Sequence, residues 1–236
     1  VAYWDDRIRR YVAFVRFNQN LGFQDSQTVI QTRGAEHYRA IGRSESRDFF
    51  RFPPPKKIAE PSPRERRPRE TGMDYYNTAA LKYPGARDAY FLFSSDFYHE
   101  QDILEVHLAT SRDGVNYVRW KQPLIGPGLE GSWDCRSIYM AAGLLQRGGE
   151  TWMYYHGQEN CHGKPAERDR AGGIGRVRFR RDGFVSQDIG RAEGRLLTQP
   201  LRFTGGKLLV NYDASAGGRL KAVLCDADGK PIPGFT

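Results

Sequence analysis

A phrase built on Arg-Asp recurs three times in this 236-residue chain: Ser46-Arg47-Asp48-Phe49-Phe50-Arg51-Phe52, Ser111-Arg112-Asp113-Gly114-Val115-Asn116-Tyr117-Val118-Arg119-Trp120, and Arg181-Asp182-Gly183-Phe184-Val185. Asp48, Asp113 and Asp182 are spaced by 65 and 69 residues, and each follows a strand-like run. A fixed period of this kind marks a repeat architecture. Each period carries several short strand signals, enough for about one four-stranded antiparallel sheet, which cannot bury both faces alone and must stack on its neighbours. The predicted fold is therefore all-β: three four-stranded blades of a β-propeller, at about 1–55, 74–121 and 134–188 within a region spanning 1–190.

The strand signals come in fours. The first group is Val1–Trp4, Tyr11–Phe17, Tyr38–Ser44 and Phe49–Phe52, with a polar insertion over 18–37 and a Pro-rich stretch from Pro53 to Pro68 leading onward. The second is Asn77–Tyr83, Ala89–Ser94, Leu104–Ser111 and Tyr117–Trp120; the alternation of Leu104 to Thr110 is that of a half-buried strand. The third is Ser137–Leu145, Thr151–His156, Gly173–Phe179 and Phe184–Ser186. After Asp188 the rhythm changes, and Arg195–Thr198, Leu201–Phe203, Lys207–Asp213 and Leu220–Cys225 predict the start of a C-terminal β-sandwich over 191–236.

Composition narrows the function classes. A hydrophobic content of 39% allows a sizeable core, and no apolar run is long enough for a transmembrane helix. The net charge is +8, but Lys and Arg alternate with Asp and Glu; the one basic cluster, Arg64 to Arg69, is Pro-rich with no stacking platform or helix beside it. It reads as a solvated loop, so neither a nucleic-acid nor a membrane partner is expected. Cys135, Cys161 and Cys225 are odd in number and lack metal-type spacing, which predicts free thiols. The chain opens inside a strand signal, and three repeats fall short of the about four to eight that close a ring. The expectation is a piece of a longer, five-bladed protein. Localisation and oligomeric state have no signature here.

Blades of this length followed by a sandwich resemble the five-bladed glycoside hydrolases related to invertase, levansucrase and arabinanase, families 32, 43, 62 and 68. The likeness rests on Tyr38–Phe52 and His107–Trp120, similar to the strand, Ser-x-Asp-Gly, aromatic-strand exits of those blades. It rests also on Gly131-Ser132-Trp133-Asp134-Cys135-Arg136-Ser137 leading to Thr151-Trp152-Met153-Tyr154-Tyr155-His156-Gly157. The resemblance implies a glycosidase that uses carboxylates from different blades. It also implies that this chain holds the third to fifth blades, with two of the family's three acids upstream. Some relatives hold an ion in the channel, so a structural divalent ion is the one cofactor the resemblance allows.

Funnel chemistry in a propeller comes from blade heads and the loops overhanging them. The heads Asp74-Tyr75-Tyr76-Asn77 and Trp133-Asp134-Cys135-Arg136 qualify, as do the loops Asp96 to Glu100 and His156 to His162. Glycoside hydrolysis needs two carboxylates about 5–9.5 Å apart, one protonated and one ionised. Asp134, Asp74 and Glu159 are the catalytic candidates. Tyr75, Tyr76, Asn77, Tyr98, His99, Trp133, Arg136, His156 and His162 are the candidates for binding a carbohydrate, with a non-catalytic carbohydrate-binding propeller as the alternative. Asp48, Asp113 and Asp182 read as turn caps, and Arg16 and Arg43 as ion-pair partners between blades. No regular ligand spacing marks a metal site.

Overall fold

A computed structural model describes residues 1–18, 38–66, 71–162, 172–190, 192–202, 204–214 and 216–235, and among these the short amphipathic runs punctuated by Asp, Gly and Pro form strands and no helices. The first sheet holds β1 (Ala2–Asp5), β2 (Arg10–Asn18), β3 (Arg39–Ser46) and β4 (Lys56–Ala59), antiparallel and paired in chain order. The second holds β5 (Met73–Lys82), β6 (Tyr90–Tyr98), β7 (Ile103–Ser111) and β8 (Val118–Ile125), again in chain order. In the third, β9 (Ser137–Met140) and β12 (Gly172–Arg180) flank β11 (Glu150–Gln158), and β10 (Leu145–Arg147) forms a hairpin with β11. One parallel pair, Leu104 with Ser137, joins the second sheet to the third. This is an all-β chain whose sheets follow one another as blades of a partial propeller do.

Two apolar seams hold the blades together. Val12, Phe14 and Ile41 of the first sheet bury against Met73, Tyr75, Ala80, Leu92 and Ala109 of the second. Ala79, Leu81, Phe93, Val106 and Leu108 of the second bury against Ile138, Met140 and Met153 of the third. The second sheet is thus covered on both faces, and β6 is buried continuously from Leu92 to Phe97. Polar ties reinforce the first seam: Arg7 donates from Nε to Tyr90 Oη (2.7 Å) and from Nη2 to the Asp113 carbonyl (2.9 Å), and Tyr90 donates to Asp5 (2.9 Å).

Three strand expectations shift. The fourth strand of the first sheet is β4, not Phe49–Phe52: Asp48 accepts from the Phe50 and Arg51 N–H groups, and Phe49 takes φ 68°, so the chain is still turning there. Pro53–Pro55 then offer no N–H for a ladder, and pairing begins at Lys56. Ser137–Leu145 splits into β9 and β10 around Gly143, whose φ is 93°. Phe184–Ser186 forms no strand; Phe184 packs edge-on to Tyr83 and Phe91 instead, and Asp182 accepts a hydrogen bond from Tyr83. Nearly all of the 18–37 insertion and the Arg67–Arg69 end of the basic cluster lie outside the described residues.

Val1–Val185 and Ser186–Thr236 form two separate units. In the second, the described residues of the four expected strands form no strand, and the hydrogen bonding concentrates where Cys225 bridges Pro231 and the Asp226 carboxylate accepts from the Asp228 and Lys230 N–H groups. Cys135, Cys161 and Cys225 are free thiols. Among the described residues no helix is long and apolar enough to cross a membrane.

Candidate functional site

Alternation along the first sheet puts Val12, Phe14 and Arg16 of β2 on one face with Arg39 and Ile41 of β3, because Arg16 pairs with Ile41 and Asn18 with Arg39. That face packs on the second blade, and at its far end the apolar residues give way to two arginines. At the same edge β5 begins, β6 ends, β9 begins and β11 ends.

Asp74, at the head of β5, is 3% exposed. Its Oδ1 accepts from the Arg39 backbone N–H (2.9 Å), and its Oδ2 accepts from Arg39 Nη1 (2.9 Å) and from His99 Nε2 (3.1 Å). Burial opposes ionisation of this carboxyl, but His99 and both donors of Arg39 outweigh it and hold the pKa below the ordinary value. Asp74 is therefore ionised at neutral pH, and His99 presents Nε2–H to it. The register of β5 on β6 skips Tyr76, a β-bulge that re-aims this ring out of the alternating pattern. Tyr76 consequently meets residues of all three sheets: the guanidinium carbons of Arg39 and Arg16 lie 4.8 and 5.1 Å from its centroid, and the rings of Tyr139 and His162 lie 6.1 and 4.1 Å away.

The third blade supplies the other wall. Tyr139 of β9 faces His156 of β11 across the ladder, the rings stacked at 5.9 Å, and His156 is exposed. Burial raises the pKa of the Tyr139 phenol and keeps it protonated, and its hydroxyl shares a hydrogen bond with His162 Nδ1 (2.8 Å). Burial first, then Arg39, Arg16 and His99, lower the pKa of His162, with Asp102 acting the other way. His162 is a neutral, flat ring, and Phe97 packs against both it (4.9 Å) and His99 (4.6 Å).

Asp74, Tyr76, His99, His156 and His162 thus meet, and Arg16, Arg39, Phe97 and Tyr139 join them. The remaining predicted residues go elsewhere. Tyr75 packs in the seam between the first two blades, and Tyr98 shares a hydrogen bond with His107 (3.3 Å) at the edge of that seam. The Asn77 side-chain amide reaches the Met140 carbonyl (3.4 Å). Asp134 accepts from Ser132 Oγ (2.8 Å) and Tyr155 Oη (2.7 Å), while Trp133 stacks on Tyr155 (5.8 Å). Tyr155 and His156 are consecutive in β11 and project to opposite faces, so Asp134 and Trp133 lie on the other side of that sheet from His156. They close over Gly157, where a Cβ would come within 2.5 Å of the Asp134 Cβ. Arg136 pairs with Glu130 (2.9 Å), and Glu159 sits half-buried in the loop that leads to His162.

Arg39 and Tyr139 escape a reading of blade heads because they belong to strands; their signal is the register that carries alternate residues to the shared edge. Arg16 carries the same signal; among the described residues the ion pair between blades expected of it is not found and its guanidinium lies over Tyr76, while Arg43 pairs within its own strand, with Glu45. Among the described residues no three His, Cys, Asp or Glu side chains converge as metal ligands. A 260 Å³ cavity lies in the first seam, walled by Ile41, Ile58, Leu92, Tyr75 and Arg119. Arg119 is already committed there to the buried Asp96, through Nε (2.9 Å) and Nη2 (2.5 Å). The open cluster around Tyr76 is the better candidate.

No family model matches the chain, and no curated protein matches it either. Solved structures do. The chain is similar in fold to an N-acetylgalactosamine deacetylase from F. plautii, determined in complex with blood group B trisaccharide, with a TM-score of 0.53, 19% identity, and coverage of 76% of this chain and 49% of that one. It is also similar to BT0996 in an RGII complex (TM-score 0.48, 16% identity, 82% and 48% covered) and to a glycosyl hydrolase from Bacteroides ovatus (TM-score 0.40, 12% identity, 68% and 45% covered). The chain spans about half the length of these proteins. The first likeness is one of fold.

Proposed function

We propose that the chain is the carbohydrate-engaging part of a five-bladed, glycoside hydrolase-like propeller, and that its sugar sits against Tyr76, Tyr139 and His156. The observation that carries this reading is the convergence of aromatic faces with fixed donors and a carboxylate, drawn from all three blades, at one edge. Sites of this kind orient a ligand with a few placed polar groups on an otherwise ring-lined wall. Sugars match it, since they present hydroxyls around the rim and C–H groups on the face. The fold of the F. plautii deacetylase, solved with a bound trisaccharide, is in keeping with this reading.

Hydrolysis is the fuller form of the proposal. An ionised Asp74 suits the base, nucleophile or charge-stabilising side of the reaction and not the proton donor. Glu159, three residues before His162, is the acid proposed for the other side. Asp134, held by Ser132 and Tyr155, shapes the loop over β11. Binding without turnover is a second reading, and one observation favours it: both oxygens of Asp74 already accept hydrogen bonds from Arg39 or His99.

The test uses the full-length protein with a panel of neutral and acidic oligosaccharides, following both affinity and released sugar. Hydrolysis predicts turnover that Asp74→Asn and Glu159→Gln each reduce about 100-fold or more, the range for general acid–base groups. Glycan affinity with no turnover on any substrate selects the second reading. Absence of binding to every glycan sinks both.

A further inference from the structure

Two guanidinium groups lie over the one Tyr76 ring, Arg39 at 4.8 Å and Arg16 at 5.1 Å, and among the described residues one of them is neutralised by a carboxylate there. Arg39 is committed to Asp74 through Nη1 and through its backbone N–H. Among the described residues no carboxylate pairs with Arg16, which is exposed at the same edge. Like charges near one ring repel, and among the described residues one carboxylate, Asp74, pairs with either of these two, while Asp102 acts nearby on His162. The neighbouring histidines add no negative charge: His99 presents its Nε2–H to Asp74, and burial, then those same arginines, lower the pKa of His162 and keep it neutral.

Resting on the carbohydrate reading above, we infer that the ligand is an anionic glycan whose acidic group docks on Arg16. A planar, permanently charged fork fits a carboxylate with two parallel N–H···O bonds, so a uronic acid is the best match, with a sulfate ester sharing the same chemistry. Arg39, fixed by Asp74, adds field without having to move. Tyr76 lies within cation–π distance of both guanidinium groups and helps to hold that of Arg16 in place. The chain's +8 net charge works in the same direction at longer range, drawing acidic polymers toward it.

The experiment is a binding screen of the full-length protein against neutral, uronate-containing and sulfated oligosaccharides. It is followed by titration of each acidic hit beside its neutral counterpart, made by carboxyl reduction or desulfation. The expected result is that the acidic member binds about tenfold or more tightly, the effect of one charge-assisted contact, and that raising salt narrows the gap. Arg16→Gln should bring the acidic-to-neutral ratio close to one, and Arg16→Lys should restore part of it, with thermal melts confirming that both variants fold. Uronate and sulfate hits separate the two sources of the anion. Binding confined to neutral glycans, equal affinity for acidic and neutral partners, or a preference that survives Arg16→Gln overturns the inference while leaving the carbohydrate reading intact. Binding to no glycan at all overturns that reading, and this inference with it.

Discussion

Asp113 draws four donors onto one carboxylate: Ser111 Oγ (2.9 Å), the Val115 and Asn116 N–H groups (both 2.8 Å) and Asn116 Nδ2 (2.7 Å). The Asn116 and Val115 N–H groups, then the Asn116 side chain, hold its pKa far below the ordinary carboxylate value. Gly114 takes φ 77°, the conformation that the turn demands and glycine adopts without strain. Asp48 repeats the arrangement with Ser46, Phe50 and Arg51, but there Phe49 occupies the left-handed position at φ 68°. Asp113→Ala is expected to cost about 1–2 kcal/mol at neutral pH, the net worth of a few hydrogen bonds to a charged group. Because the folded pKa is depressed, this stabilisation is present above the unfolded value near about 4 and is lost as pH falls below it. Urea denaturation should show wild type and variant converging in acid, and a gap that persists at low pH would assign the effect to packing instead.

The same turns explain how far the elements were legible. Asp-turns, Gly and Pro are local signals, and they place β5 to β8 and β11 within a few residues. Where two local signals compete, tertiary geometry decides: Phe49–Phe52 has the residue types of a strand, but the cap at Asp48 keeps the chain turning and the prolines postpone pairing to β4. The site was legible in part for a related reason. Asp74 and Tyr76 sit at a blade head, His99 and His162 in loops and His156 near the end of β11, where a linear pattern can be read. Asp134 shares that position, yet its turn folds it under Tyr155, and Arg39 and Tyr139 arrive through strand register, which depends on pairings between distant segments. The ion pair between β6 and β8 was silent in the sequence too. Asp96 is fully buried, and burial pushes its carboxyl up to about 6 although Arg119 and His107 oppose the shift. A raised folded pKa means that the folded state binds the extra proton, so this group's contribution falls as pH rises from about 4 through 6. Arg119→Met removes the main opposing charge and extends that window upward. The variant is expected to lose about 3–5 kcal/mol at pH 7 and clearly less at pH 5, where Asp96 escapes by protonation. Equal losses in urea melts at the two pH values would sink this account.

At the scale of the whole chain, the second blade is the keystone, because β5, β6 and β7 contribute to both apolar seams while the first and third sheets each contribute to one. The candidate site lies where those seams open: its floor, Tyr76, stands on the central blade, and its charged and hydroxyl-bearing walls stand on the flanking ones. That arrangement keeps the rings and donors fixed on strands and lets loop residues such as His162 close over them. It also grades the stability of the molecule. Opening a stretch that is covered on both faces requires exposing two seams at once, whereas an edge strand such as β4 or β10 opens at the cost of a few ladder bonds. The second unit differs again: its described residues are all exposed or half-buried, and the hydrogen bonds that order it gather between Leu224 and Phe235. Native-state hydrogen exchange should therefore find the slowest amides in β6 and the adjoining parts of β5 and β7, intermediate rates in β1, β4, β10 and β12, and little protection over 192–202 and 204–214. Within the second unit, the amides of Leu224, Asp226 and Ile232 should stand out, since each donates to a backbone carbonyl of that stretch. Protection over 204–214 equal to that of β6 would show that the two units unfold together and that the stability of this chain is not centred on its middle blade.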